Sequence, residues 1–264
     1  MLWLLTGPVR AYLKGKPVDR GKARVGRLLV RPFLQLADIG LRYRWTSTAG
    51  GRFDLNFREE IGGHVAVFGS FEPIEMQTLV ASVGSGMSAY DVGANVGLFT
   101  VPLALKSGPT GKVVAFEPYQ ANVARLQEHL ALNRLSNVEV LALAAGAFDG
   151  TAELQIGKDS ARPTTAVTRQ ENHDPRIKVE CRRLDTVWDA TGRPPIAALK
   201  IDVEGAEVAV LLGATRLITT CHPLILVETV DHISEIEQLL GPFGYGYSQP
   251  SGFMPWNFLF LAAT

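Results

Sequence analysis

The chain has 264 residues, 47% of them hydrophobic, which is enough for one sizeable core, and 26 glycines with 15 prolines are too few for a fibrous or disordered composition. Its formal net charge is zero, and it contains no run of about eighteen apolar residues that would span a membrane. The opening "MLWLLTGPVR" lacks the basic start and cleavage site of a secretory signal, and Cys181 and Cys221 alone make neither a disulfide framework nor a zinc site, so a cytoplasmic location is expected.

The zero charge hides an asymmetry, because residues 1–58 hold twelve Lys and Arg against three acids. Within them "GKARVGRLLVRPF" places Val25, Leu28, Leu29 and Phe33 near one helical face, ringed by arginines. Residues 1–60 therefore read as a basic extension, helical and then extended, that packs on the main body or meets phosphates or an anionic membrane surface. Residues 61–264 read as the main domain. From residue 88 strands and helices alternate: a strand over 88–92, a helix from about Asn95 to Lys106, and a strand in "GKVVAFEP". "QANVARLQEHLALN" spaces Val123, Leu126 and Leu130 as a helix would, and "NVEVLALAA" is a third strand. Residues 151–187 break the pattern with an inserted hairpin, "TAELQI" and "IKVECRRL", around a polar loop with Arg162, Pro163, His173 and Pro175. "IAALKIDVEG" is a fourth strand leading into the helix "AEVAVLLGATRLI", and "PLILVET" is a fifth leading into "ISEIEQLL". The C-terminal stretch reads as two strands around a turn, the last inserting antiparallel. Alternation with nearly continuous apolar strands implies an α/β fold, a parallel sheet with helices on both faces.

In such sheets ligands bind beyond the carboxyl ends of the strands. The stretch "YDVGANVGLFT" puts Asp91, Gly93, Asn95 and Gly97 at the first such end. Glycines there allow a tight turn and close approach by a ligand, and helix N-terminal amides suit a carboxylate or phosphate. The spacing G-x-x-x-G lacks the third glycine of a dinucleotide loop and the Lys–Ser/Thr pair of a phosphate loop. Glu117, closing the second strand, is placed to accept both hydroxyls of a ribose. A nucleoside without a pyrophosphate is indicated, and S-adenosylmethionine fits: the loop amides meet its amino-acid end, and Asp91 its ammonium.

"YDVGANVGLFT", "VVAFEPYQANVARLQEHLALN", "LKIDVEGAEVAVLLGA" and "PLILVE" together resemble the FkbM family of methyltransferases over roughly residues 70–262. The resemblance implies a Rossmann-like, seven-stranded class I methyltransferase sheet, S-adenosylmethionine as cofactor, and O-methylation of hydroxyls on sugars or secondary metabolites. It places Asp91, Gly93, Asn95, Gly97 and Glu117 along the cofactor, with Ala144 and Ala145 beside the adenine. Pro102 inside the first helix and the basic arm depart from the pattern.

Methyl transfer to a hydroxyl gains from a base that takes the hydroxyl proton. "KIDVEGAE" offers Asp202 and Glu204, which share a face if the strand runs that far, and Glu228 ends the neighbouring strand with His232 beyond it. These four are the catalytic candidates. Each has a structural alternative: Glu204 as a cap of the helix near Gly205, Asp202 as an orienting group, Glu228 as the partner of Lys200, and His232 as a structural histidine. The three carboxylates also admit magnesium or calcium, although the spacing does not require a metal. Glu72, before Pro73, either closes over the site or lies in a surface turn. A small-molecule or glycan hydroxyl is the expected acceptor. A nucleic-acid substrate, drawn by the basic arm, is opposed by the net acidic main domain. A cofactor-binding protein without turnover and an NAD-dependent oxidoreductase are the remaining alternatives. Oligomeric state has no signature in the sequence.

Overall fold

The computed structural model describes residues 42–57, 59–155 and 176–263. The basic helix expected over residues 25–33 and the loop residues Arg162, Pro163, His173 and Pro175 lie outside them. Residues 42–56, read from sequence as the extended end of the arm, form a hairpin of β1 (Arg42–Thr46) and β2 (Arg52–Asn56). Phe53 and Leu55 on β2 are fully buried, so this hairpin is part of the core. Two helices then follow, α1 (Glu60–Phe68) and α2 (Pro73–Ala81).

The main sheet contains β3 (Ser88–Val92), β4 (Lys112–Phe116), β5 (Val138–Leu141), β9 (Ile196–Ile201), β10 (Leu224–Glu228), β11 (Tyr245–Ser248) and β12 (Asn257–Ala262). Its spatial order is β11-β12-β10-β9-β3-β4-β5. The strands from β10 through β5 are mutually parallel, and β12 inserts antiparallel between β10 and β11, as the helix-free C-terminal connection predicts. Side chains alternate faces. Tyr90, Val92, Val114, Phe116, Leu199 and Ile201 pack with α5 (Leu184–Ala190), α6 (Glu207–Leu212), α7 (Thr215–Cys221) and α8 (Ile233–Leu240). Ala89, Val113, Ala115, Ala198 and Leu226 face α1, α2, α3 (Thr100–Ser107) and α4 (Gln120–Leu132). Each fully buried Val, Leu, Ile or Phe contributes roughly 1.5–3 kcal/mol relative to exposure.

Three elements differ from their sequence reading. The helix after β3 starts at Thr100, not Asn95, because Asn95 at φ 50° and Gly97 at φ 89° are left-handed and cannot belong to a right-handed helix. Pro102 consequently falls in the first turn, where its missing N–H costs no helical hydrogen bond. "NVEVLALAA" divides: β5 ends at Leu141, and β6 (Ala144–Ala145) leaves the main sheet for a three-stranded one, order β6-β8-β7, with β7 (Gly150–Gln155) and β8 (Arg176–Arg182). The expected hairpin is thus present but joined by a third strand. "AEVAVLLGATRLI" breaks at Gly213 and Ala214 into α6 and α7. No helix among the described residues is long and apolar enough to cross a membrane.

Candidate functional site

Successive parallel strands are added outward in one direction from β3 and in the other from β9, so this parallel pair marks the point where the connections part, beyond the strands' carboxyl ends. The turn after β3 depends on Gly93, at φ 79°, whose missing Cβ would lie 1.7 Å from the Asp202 carbonyl oxygen beyond β9. The two loops therefore touch backbone to backbone. The amides of Gly93 and Ala94 both donate to the Phe116 carbonyl at 3.0 Å, that of Asn95 donates to Glu117 Oε2 at 2.8 Å, and that of Gly97 donates to the Ala94 carbonyl at 2.8 Å. These four amides brace the loop itself.

Beyond this turn lies a first cleft of about 540 Å³, open to solvent. Gly93, Asn95, Glu117, Ala144 and Ala145 line it together with Phe116, Asn122, Leu143 and Leu154. Glu117 is 3% exposed, and its Oε1 also accepts the Tyr119 amide at 2.9 Å. Burial pushes this carboxyl up to about 7, against the pull of the Tyr119 and Asn95 amides. Ala144 and Ala145 leave an apolar slot because their side chains are single methyls. The first cleft thus sets a buried carboxyl beside a slim apolar slot.

A second cleft, of about 760 Å³, adjoins the first, and Asn95, Asp202 and Glu204 line both. Its other walls include Glu72, Lys200, Glu228, His64 and the aromatic rings of Phe71, Phe99 and Trp256. Lys200 lies at its base because β3 and β9 pair Asp91 with Lys200 in register, on the face where the neighbouring positions are small. Its Nζ lies 3.0 Å from Asp202 Oδ2, 3.8 Å from Asp91 Oδ1 and 4.9 Å from the centre of the Phe99 ring. Burial works to lower Lys200, but Asp202, Asp91 and Glu72 together hold its ammonium above its ordinary range. Burial also raises Glu72 to about 8 and Glu228 to about 10, with Asp202 adding repulsion to each. The insertion of β12 places Asn257 opposite Glu228, and Thr229 donates its amide to the Trp256 carbonyl at 2.8 Å.

Several sequence candidates are relocated. Asp91 is 0% exposed and lines neither cleft; it accepts the Thr100 hydroxyl and faces Lys200 from the interior. Gly97 lines neither cleft: its missing Cβ would meet Leu126 Cδ1 at 2.3 Å, so the residue serves the packing of α4. His232 precedes α8, pairs with Glu235 at 3.6 Å and lines neither cleft. Lys200 does not take Glu228 as its ion-pair partner; its partners are Asp202 and Asp91. The fourth strand ends at Ile201, so Asp202 and Glu204 converge through a turn and not through strand alternation, with Glu204 left-handed at φ 52°. The helix near Gly205 starts at Glu207, and Glu207, not Glu204, accepts the Gly205 amide at 2.7 Å. Among the described residues, no group of three or more His, Cys, Asp or Glu side chains is arranged to hold a metal ion, so the geometry lends no support to the metal-assisted alternative. Glu72 is 6% exposed and belongs to the second cleft, not to a surface turn. His64, Phe71, Phe99 and Trp256 escaped the sequence reading. Only the i, i+3 spacing of Ile61 and His64, both lining the cleft, marks a shared helical face.

Comparison with known proteins adds a lineage to this geometry. A family profile described as "Methyltransferase FkbM domain" matches residues 91–248. Methyltransferase sdnD from Sordaria araneosa is 30% identical over 198 residues, covering 63% of this chain and 76% of its own. Methyltransferase 1 from Beauveria bassiana (strain ARSEF 2860) is 28% identical over 143 residues, covering 47% of this chain and 56% of its own. Among solved structures, a methyltransferase FkbM from Methylobacillus flagellatus KT superposes with a TM-score of 0.46 at 20% identity, covering 67% of this chain and 43% of that one.

Proposed function

The chain belongs to the FkbM methyltransferase family, and from that premise we propose an S-adenosylmethionine-dependent O-methyltransferase acting on a hydroxyl of a small molecule, sugar or glycan. The observation that carries this reading is the pair of clefts meeting at Asn95, Asp202 and Glu204. The first would take the cofactor: Glu117 suits the ribose, Ala144 and Ala145 the adenine, and the Gly93 turn lets the ligand approach the backbone. Asp202 and Glu204 supply negative charge on the shared wall, matched to a cofactor that carries an ammonium and a sulfonium. When bound, S-adenosylmethionine supplies an electrophilic methyl group.

The second cleft would take the acceptor. Its carboxyl groups recognise hydroxyls as acceptors or, when protonated, as donors, and Phe71, Phe99 and Trp256 offer apolar faces to a ring. At neutral pH Glu228, raised to about 10, keeps its proton and can donate a hydrogen bond. Lys200 fixes the Asp202 carboxylate by its 3.0 Å ion pair, so the shared wall is rigid where donor and acceptor must align. A nucleic-acid acceptor is disfavoured because phosphates would meet Asp202 and Glu204 on the shared wall.

Calorimetric titration with S-adenosylhomocysteine, with NAD as control, tests the cofactor reading. Heat from the first alone is expected, and Glu117→Ala should weaken binding about 10–100-fold, the cost of losing charge-assisted hydrogen bonds. Heat from NAD and not from S-adenosylhomocysteine would overturn it. Release of S-adenosylhomocysteine from S-adenosylmethionine with a pool of hydroxylated acceptors separates an enzyme from a binding protein without turnover.

A further inference from the structure

A hydroxyl nucleophile needs a base, and the carboxyls of the second cleft are not equivalent. Asp202 is committed to Lys200 at 3.0 Å. Glu228 closes β10 beside Asn257. Glu72 shares a left-handed backbone only with Glu204, at φ 52°, and differs from Asp202, Glu204 and Glu228 alike in being buried where they are half-buried. It lies between α1 and α2 at φ 38°, ψ 54°, a left-handed conformation rare for any residue with a Cβ and further disfavoured by the following Pro73. Strain of this kind persists only where the surroundings enforce it, and it clusters at functional sites. The surroundings here are specific. The Glu72 carbonyl accepts the Met76 amide at 3.0 Å, opening α2, and Glu75 in the first turn holds Asn257 Nδ2 at 3.3 Å on β12. The strained turn thereby aims a nearly fully buried carboxyl into the cleft, away from the bulk water that would otherwise claim it.

We propose that Glu72 is the general base of methyl transfer, the catalytic residue that takes the proton from the acceptor hydroxyl. The inference rests on the methyltransferase reading given above. In the step, the acceptor O–H bond breaks and its proton passes to the Glu72 carboxylate. The freed electron pair forms the oxygen–methyl bond, and the pair of the sulfur–methyl bond leaves with sulfur as a neutral thioether. Glu72 then returns the proton to solvent. The groups facing Glu72 are consistent with this task. Asp202, Glu75 and Glu228 repel its negative form, Lys200 and a hydrogen bond from the Asn257 side chain favour it, and His64 and Glu204 line the remaining walls. Burial, the largest influence, together with these repulsions raises Glu72 to about 8, near the range where a base combines availability with proton affinity.

The test compares wild type, Glu72→Gln, Glu72→Asp and Glu228→Gln. Three readouts are used: S-adenosylhomocysteine affinity by calorimetry, the carboxyl titration of ¹³C-Glu-labelled free protein by NMR, and transfer of labelled methyl from S-adenosylmethionine to a mixed pool of sugars, polyols and phenols. If Glu72 is the base, Glu72→Gln keeps its S-adenosylhomocysteine affinity within about twofold, loses one titration near pH 8 and lowers kcat by about 100-fold or more. Glu72→Asp restores part of the rate, and the alkaline rise of the wild-type pH profile vanishes in Glu72→Gln. Turnover within about threefold of wild type in Glu72→Gln overturns the assignment and leaves the methyltransferase reading standing. Wild type that binds S-adenosylhomocysteine but labels nothing in the pool overturns the assignment together with the hydroxyl-acceptor reading, and wild type that does not bind it overturns the cofactor reading.

Discussion

At Gly93 a single hydrogen in place of a methyl group decides whether the two central loops meet. Alanine there would place Cβ 1.7 Å from the Asp202 carbonyl and hold a left-handed φ of 79°. Backbone, not a flexible side chain, would have to yield. Gly93→Ala is therefore expected to lose about 2 kcal/mol or more in urea unfolding and to abolish S-adenosylhomocysteine binding in the remaining folded protein. The first cleft was largely legible at this scale: Gly93, Asn95, Glu117, Ala144 and Ala145 line it as the motif order suggests. Asp91 and Gly97 sit in the same motif and line neither cleft, because alternation turns Asp91 inward and Gly97 faces a helix. A motif records that residues are needed together; it does not record which of them faces the ligand. Glu72, His64 and Trp256 come from a helix–helix turn, a helix and the approach to the last strand, and no local spacing links such distant segments.

Among elements, the contact of Gly97 with α4 is the one most open to test. Leu126 Cδ1 fills the space a Cβ at 97 would need, 2.3 Å away. Gly97→Ala should cost about 1–3 kcal/mol through overpacking and backbone strain. In combination with Leu126→Ala the losses should sum to less than the two single losses, by about 0.5 kcal/mol or more. Because Gly97 lies off both clefts, S-adenosylhomocysteine affinity in the folded fraction should stay within about threefold of wild type, unlike Gly93→Ala. Urea titrations of the four proteins with parallel calorimetry check both statements. The strands of the main sheet were legible because their apolar runs are bounded by Gly, Pro and acids. The helix start at residue 95 was misread because the periodic apolar residues Val96, Leu98 and Phe99 are buried in a turn and not in a helix. The hairpin of β1 and β2 was hidden by Arg42, Arg44 and Arg52, which mark a charged arm in sequence; in the fold Arg42 and Arg44 alternate with Tyr43 and Trp45 on β1, and Phe53 and Leu55 are buried on β2.

For the whole molecule, the buried carboxyls make stability a function of pH. Glu117, Glu72 and Glu228 are raised from an ordinary value of 4.5 to about 7, 8 and 10. The folded state therefore holds protons that the unfolded state has released. Their contribution is fully present below about pH 4.5 and is lost as pH rises through the folded values, so melting temperature should fall from about pH 4.5, most steeply up to about 7, and level off near 10. Glu228→Gln should flatten the alkaline part of that decline, as differential scanning calorimetry across pH would show; a decline of wild-type slope in this variant would exclude Glu228 as a contributor. The same scale reveals what the small sheet does. β6 leaves the main sheet to pair Ala144 with Cys181 and Ala145 with Arg182, and Leu154 of β7 lines the first cleft beside them. The insertion is thus a supporting wall and not an ornament hung on a finished fold. Transplanting it from a relative to alter substrate choice would import a new wall for the first cleft as well, so chimeras cut at its borders would reshape two surfaces in one stroke.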